Sequence, residues 1–180
     1  NPNIFIAKAI VFDGPEEYHK NINNPDLNID EQCILVMRGC GPIGYPGSAE
    51  VVNMQPPDEL LKKGISSLPC LGDGRQSGTS ESPSILNVSP EAAVGGGIAI
   101  IKNGDEIKID LNMKRVDLLL EDEVIKERLA NNNYKYPDNQ TPWQEISRKF
   151  TGQLTEGACL NLEESYLDIA NSKGIPRDSH

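Results

Sequence analysis

The chain has 180 residues, of which 37% are hydrophobic and 24% charged, and its net charge is -10. These values are typical of a globular domain and exclude a disordered chain. The excess of acidic residues argues against nucleic acid as the main partner, because phosphate contacts need clustered Lys and Arg. No apolar run approaches the ~20 residues of a membrane span, and no signal peptide is visible. The chain starts at Asn1 without an initiator Met, which favours a piece of a longer protein.

Four cysteines are present, and no two of them are separated by two residues, so no zinc-ribbon or redox pair is predicted. Cys33 and Cys70 lie inside apolar runs and are expected to be small buried residues. We therefore predict free thiols in a reducing compartment, the cytoplasm, rather than disulfides.

The first half of the chain predicts short strands and helices separated by loops. The predicted strands span residues 4–12, 33–38 and 65–71, and the predicted helices span residues 16–22, 48–54 and 58–63. Two of the loops, residues 39–47 and 72–80, are too rich in glycine and other turn residues for regular structure.

The second half predicts more strands, then helices. Ser89-Pro90-Glu91 has the pattern of a helix start. Strands are predicted over residues 98–101, 106–111 and 115–120, and helices over Asp122–Ala130, up to Phe150 and over residues 162–170. Asn103-Gly104 predicts a hairpin turn between the first two of these strands. An antiparallel hairpin favours a mixed α/β domain with a barrel or curled sheet over a doubly wound fold.

The loop over residues 72–80 is the first candidate site, because three glycines surround Asp73, Arg75, Ser77 and Thr79 directly after a strand. Such loops expose backbone N–H groups and let a ligand approach closely. The spacing does not fit a dinucleotide fingerprint, a Walker loop or a G-x-S-x-G elbow. Composition alone leaves a structural turn and a binding loop equally open.

Glu50 is the second candidate, because it follows a loop of Gly and Pro after a strand. Taken alone, such a Glu is usually a solvated residue. The histidines are His19 and His180, and their placement supports no Ser-His-Asp triad.

Three segments resemble one family, and they occur in that family's order. Residues 41–50, 72–79 and 87–92 are similar to motifs of the dihydroxy-acid/6-phosphogluconate dehydratase family, and the resemblance spans nearly the whole chain. Residues 54–57, 75–80 and 141–146 resemble its aldonate branch, the arabinonate, xylonate and galactonate dehydratases. The resemblance implies that residues 1–180 form one C-terminal domain, β-barrel-like as in swivelling domains, with flanking helices. It also implies that an N-terminal cluster-binding domain is absent here.

The resemblance further implies a reaction. Family members remove water from a 2,3-dihydroxy acid and give a 2-keto-3-deoxy acid. An iron–sulfur cluster acts as Lewis acid on the 3-hydroxyl, and Mg²⁺ binds the carboxylate and the 2-hydroxyl. We therefore expect a sugar-acid substrate, the N-terminal domain as partner, a homo-oligomer, and no activity from this fragment alone.

By position in the family's motifs, Ser77 is the base that takes the C2 proton, and Thr79 orients it or the substrate. Backbone N–H groups at Gly78 and Thr79 would stabilise the alkoxide. Glu50 matches a carboxylate that binds Mg²⁺, a hard ion that prefers oxygen. The implied substrate contacts are Asp73, Arg75, Gly78 and His180.

None of the four cysteines matches a cluster-ligand position. Glu81 stands where relatives usually have Gly; it adds negative charge beside the serine, where it alters substrate choice or points outward. Two alternatives remain open: a dehydratase of branched-chain amino-acid synthesis, and a non-catalytic module that binds a small acid or a partner protein.

Overall fold

The computed structural model describes residues 2–47, 50–78, 81–137, 141–161, 168 and 171–172. This part of the chain folds into six strands with helices around them. The strands are β1 (Ile4–Asp13), β2 (Cys33–Arg38), β3 (Cys70–Gly72), β4 (Ser84–Ile85), β5 (Glu106–Asp110) and β6 (Arg115–Leu118), and the α-helices are α1 (Pro15–Asn21), α2 (Asp58–Lys62), α3 (Asp122–Ala130) and α4 (Pro142–Phe150). Short 3₁₀-helices span Pro25–Leu27, Ala92–Val94, Gly97–Ile100 and Leu154–Glu156.

The strands form one curled, half-barrel sheet in the order β4-β3-β2-β1-β5-β6. The first four strands in this order run parallel to one another, whereas β5 is antiparallel to both β1 and β6. The central β2 is buried on both faces along almost its whole length. That burial explains its continuous apolar sequence, because a parallel strand covered on both sides has no solvent face.

The core lies on both faces of the sheet. Leu35 and Met37 of β2 pack into one buried cluster, and Ile34 and Val36 pack into the other. This division follows from the alternation of side chains along a strand. Cys33 and Cys70 are buried free thiols in the first cluster, as the sequence predicts.

The structure confirms a mixed α/β domain with a curled, barrel-like sheet and flanking helices. The bounds predicted for Cys33–Arg38 and Asp122–Ala130 match β2 and α3. The predicted hairpin around Asn103-Gly104 is wrong. Residues 98–101 form no strand, because Gly97–Ile100 is a 3₁₀-helix with buried side chains, and the hairpin in this region joins β5 to β6.

Two predictions near the candidate site also fail. Residues 50–54 of the helix predicted over residues 48–54 are not helical, and the strand predicted over residues 65–71 is reduced to β3. The 3₁₀-helix Ala92–Val94 begins after Glu91, so Ser89 does not cap it. Most of the helix predicted over residues 162–170 lies outside the described residues. Among the helices described, none has the length and apolarity that crossing a membrane requires.

Candidate functional site

Three loops meet at one edge of the sheet. β2, β3 and β4 are neighbouring parallel strands, so their carboxyl ends lie at the same edge. We call the segments that follow them the glycine–proline loop (residues 39–47), the serine loop (residues 73–78) and the third loop (residues 86–91). The carboxyl edge of parallel strands is where ligands commonly bind in α/β proteins.

Asp73 holds the three loops together. Its Oδ2 accepts hydrogen bonds from the N–H groups of Gly39 and Ala92, both at 2.9 Å, and its Oδ1 accepts one from Cys40 at 2.8 Å. The side chain is fully buried. Burial raises the pKa of Asp73, while the three N–H donors lower it and so oppose that shift.

Glu91 makes a second clamp beside Asp73. Its carboxylate is fully buried and accepts hydrogen bonds from the N–H groups of Ile43 and Gly44. The side-chain amide of Gln153 donates to the same carboxylate at 2.8 Å. The glycine–proline loop is therefore bound to both other loops through buried carboxylates. Arg148 of α4 also donates from Nε to the Ile43 carbonyl at 2.9 Å, which ties the helix to this loop.

Close packing of the loops explains most of their glycines. A Cβ atom on Gly41 would lie 2.4 Å from the Glu91 carboxylate, and one on Gly74 would lie 2.7 Å from Cys40. Gly47 and Gly78 differ, because a Cβ atom on either would meet nothing within 4 Å. The glycine that follows Ser77 thus borders open space.

Ser77 lies on this open side of the serine loop and is partly buried. Its backbone N–H donates to Oδ1 of Asn53 at 3.1 Å. The loop is held on both sides, because the Arg75 carbonyl accepts from Val52 at 3.0 Å and the Gly74 carbonyl accepts from Asn87 at 2.9 Å. Backbone contacts therefore fix the position of Ser77 relative to the sheet.

Glu50 and Arg75 are brought together near Ser77. Arg75 Nη1 lies 3.7 Å from Glu50 Oε1, and both side chains are about half exposed, 53% and 46%. An exposed ion pair of this kind contributes at most about 1 kcal/mol, so the Glu50 carboxylate is accessible to another cation. Thr79 and His180 lie outside the described residues.

The contact between Asp73 and the substrate stays a prediction, and the surroundings of Asp73 support a structural role. Both oxygens are occupied by backbone donors inside the protein. Asp73 is therefore a positioning residue in this structure. Glu91 and Asn53 were not singled out as site residues from the sequence. The only signal for Glu91 is its place in the Ser89-Pro90-Glu91 segment.

The described residues fit the two implied cofactors unequally. Glu50 offers one accessible oxygen ligand for Mg²⁺, a hard ion that needs several. Within residues 2–161 as far as they are described, no group of three or more His, Cys, Asp or Glu is placed to hold a metal ion. Burial raises the pKa of the Cys40 thiol and that of Cys70, to about 11 for Cys70. A cluster needs several thiolate ligands side by side, and no three cysteines of the described residues lie together, so these buried thiols do not fit one.

Comparison with known proteins gives consistent matches. Residues 2–158 match the family model described as dihydroxy-acid/6-phosphogluconate dehydratase C-terminal. The chain is 58% identical to the D-xylonate dehydratase of Caulobacter vibrioides over 98% of its own length and 29% of that protein. It is 40% identical to the L-arabinonate dehydratase of Rhizobium leguminosarum over its whole length and 31% of that protein.

A third relative is the dihydroxy-acid dehydratase of Methanococcus aeolicus, which is 41% identical over 89% of this chain and 29% of that protein. The chain thus spans less than a third of the length of each of these relatives.

Proposed function

Because the chain belongs to the C-terminal domain family of the dihydroxy-acid and 6-phosphogluconate dehydratases, we propose that it is the C-terminal domain of a sugar-acid dehydratase. The observation that carries the proposal is the placement of Ser77. It lies on a loop fixed by backbone hydrogen bonds, beside open space at Gly78, at the carboxyl edge of parallel strands. The similarity to xylonate and arabinonate dehydratases supports an aldonate as the substrate.

The reaction converts a 2,3-dihydroxy acid into a 2-keto-3-deoxy acid with loss of water. Ser77 Oγ, as the alkoxide, takes the proton from C2 while hydroxide leaves C3. The hydroxide takes this proton from Ser77 and departs as water, which restores the alkoxide, and the enol becomes the ketone when its O2 proton is replaced by one at C3. A serine hydroxyl is a poor base at its ordinary pKa. Fixed N–H donors beside it, such as that of Gly78, favour the charged form.

Glu50 would hold Mg²⁺ together with ligands from elsewhere in the protein. When bound, the ion supplies positive charge that binds the substrate carboxylate and makes the C2 proton more acidic. Arg75, which contacts Glu50 at 3.7 Å, is placed to bind a second carboxylate oxygen of the substrate. Thr79, Gly78 and His180 remain proposed substrate or orienting contacts.

No step is assigned to an iron–sulfur cluster on this chain, because its buried thiols do not fit one. We place the cluster ligands, and the other Mg²⁺ ligands, in the larger part of the protein that lies outside this chain. The free state of Cys33, Cys40 and Cys70 supports a reducing compartment such as the cytoplasm. A homo-oligomer is also proposed.

A second candidate is a dihydroxy-acid dehydratase of branched-chain amino-acid synthesis. The Methanococcus aeolicus relative favours it, at 41% identity. The two substrate classes share the reacting carbons and differ beyond C3, so one assay separates them.

Replacing Ser77 with Ala in the full-length protein tests the proposal. We expect kcat with D-xylonate or L-arabinonate to fall by about 10²–10⁴, the usual contribution of a general base, with metal content unchanged. Ser67→Ala is a matched control, because Ser67 is a partly exposed serine before β3, at the opposite end of that strand from the serine loop. Full activity of Ser77→Ala would show that Ser77 is not the catalytic base. A parent protein that dehydrates only 2,3-dihydroxyisovalerate would favour the second candidate.

A further inference from the structure

A polar cleft lies next to the serine loop. It has a volume of about 460 Å³, and its lining includes His19 of α1, Asn53, Gln55 and Glu81. These side chains offer both hydrogen-bond donors and hydrogen-bond acceptors. The cleft therefore suits a ligand with several hydroxyl groups better than an apolar one.

The wall of the cleft is built from a rigid segment. Tyr18 is buried, and its hydroxyl accepts from the Gln55 N–H at 2.8 Å and donates to the Gln55 carbonyl at 3.3 Å. Its ring packs edge-on against Phe12, with 5.5 Å between the centroids. On the preceding residue, the Met54 carbonyl accepts a hydrogen bond from Ser82 Oγ at 3.2 Å. The backbone of residues 54–55 is thus held before any ligand arrives.

Burial alternates along this segment and sets the direction of its side chains. Val52 and Met54 are buried, whereas Asn53 and Gln55 are exposed. In extended backbone, residues two apart lie on the same side. Asn53 and Gln55 therefore both lie on the exposed side, where the cleft is.

Asn53 links the cleft to the proposed catalytic serine. Asn53 lines the cleft, and its Oδ1 accepts the Ser77 N–H at 3.1 Å. A substrate with its C2 atom at Ser77 would have its remaining carbons within reach of the cleft. Glu81, which adds a negative charge close to Ser77 in sequence, also lines this cleft.

We propose that this cleft is the subsite for the hydroxyl-bearing tail of the sugar acid, the carbons beyond C3. The assignment rests on the proposed function. The Glu81 carboxylate accepts hydrogen bonds from the tail hydroxyls. The Gln55 amide and the His19 ring supply the remaining hydrogen-bond donors and acceptors for these hydroxyls. A branched-chain acid places methyl groups there, which would leave these polar groups without partners, and that mismatch costs binding.

The test pairs a change in the protein with a change in the substrate. In the full-length protein, kcat/KM is measured for Glu81→Ala and Gln55→Ala with a pentonate and with the same pentonate lacking its 5-hydroxyl. For the pentonate, we expect Glu81→Ala to lower kcat/KM by about ten- to hundredfold, the effect of one hydrogen bond to a charged group. For the deoxy acid the loss should be several-fold smaller, because the missing hydroxyl removes the same contact. Glu81→Gln, which keeps an acceptor, should recover most of the activity.

Glu31→Ala is the matched control, because Glu31 is an exposed acid next to β2 and not in the cleft lining. Equal losses on the two substrates, or no loss with either variant, would overturn the subsite while leaving the dehydratase proposal intact. A parent protein that dehydrates neither acid would instead refute the proposed function and the subsite with it.

Discussion

Asp73 offers the sharpest test of how the three loops are positioned. Its carboxylate accepts three backbone N–H groups from two other segments and has no exposed surface. In Asp73→Asn, one oxygen remains and the other becomes an NH₂ group. With the remaining oxygen at the Oδ2 position, the bonds from Gly39 and Ala92 survive, while the new NH₂ group opposes the Cys40 N–H.

The expected size of this effect follows from the lost contact. Leaving a buried donor unpaired costs about 1–3 kcal/mol, so local opening of the loops should become about 5- to 150-fold more frequent. Burial raises the pKa of Asp73, because the charged carboxylate loses its hydration there. A neutral amide does not have this cost, so we expect the lower half of the range. Asp73→Ala loses all three acceptor contacts and should have a larger effect.

Hydrogen–deuterium exchange of the full-length protein measures this opening directly. Peptides covering residues 38–44 and 90–96 should exchange faster in Asp73→Asn, whereas peptides covering α3 should not change. Asp26→Asn, at an exposed acid, is the control. Unchanged protection of the Gly39, Cys40 and Ala92 amides would refute the clamp, because these amides are its donors.

Two further predictions concern buried thiols and glycines. In alkylation at pH 8 followed by peptide mapping, exposed Cys159 should be modified first. Burial raises the pKa of Cys70 to about 11, so about one thousandth of it is thiolate at that pH, and it should react only after unfolding. Equal alkylation rates for the two cysteines would contradict the burial of Cys70. Gly41→Ala should increase hydrogen–deuterium exchange in residues 38–44, because the new Cβ atom would clash with the buried Glu91 carboxylate. Gly78→Ala should leave exchange in those residues unchanged. A larger increase with Gly78→Ala than with Gly41→Ala would contradict the loop packing.

The sequence was a good guide where the local pattern and the tertiary environment agree. Cys33–Arg38 is an unbroken apolar run, and a strand buried on both faces needs such a run. Residues 98–101 have the same local pattern, but residues 98–100 belong to a 3₁₀-helix that is packed against the sheet. A short apolar run cannot distinguish these outcomes, because both bury every side chain.

The structural roles of Asp73 and Glu91 could not be predicted from the local sequence. Their hydrogen-bond partners are mostly far along the chain: Gly39 is 34 residues from Asp73, and Gly44 is 47 residues from Glu91. From the sequence alone, Asp73 is a polar residue within a glycine-rich loop, and it is therefore predicted to contact the substrate. The sequence predicts that Ser77 lies in a loop, and it does so in the structure, but its proposed role comes from the order of the three resembling segments.

The glycines of the three loops carry two different constraints, and separating them narrows the candidate site. Gly41 and Gly74 are required because a neighbouring loop occupies the space of a Cβ atom, so their presence says nothing about a ligand. Gly47 and Gly78 are the exceptions, since a Cβ atom on either would meet nothing within 4 Å. At Gly47 a positive φ of 94° accounts for the glycine, whereas at Gly78 only the open space distinguishes the position. We therefore expect a ligand at this edge of the sheet to approach from the side of Ser77 and Gly78, between the exposed Glu50–Arg75 pair and the polar cleft at Asn53. An acid bound there would have its carboxylate towards Arg75 and its hydroxylated tail towards Glu81, which is the orientation that the paired-substrate experiment tests.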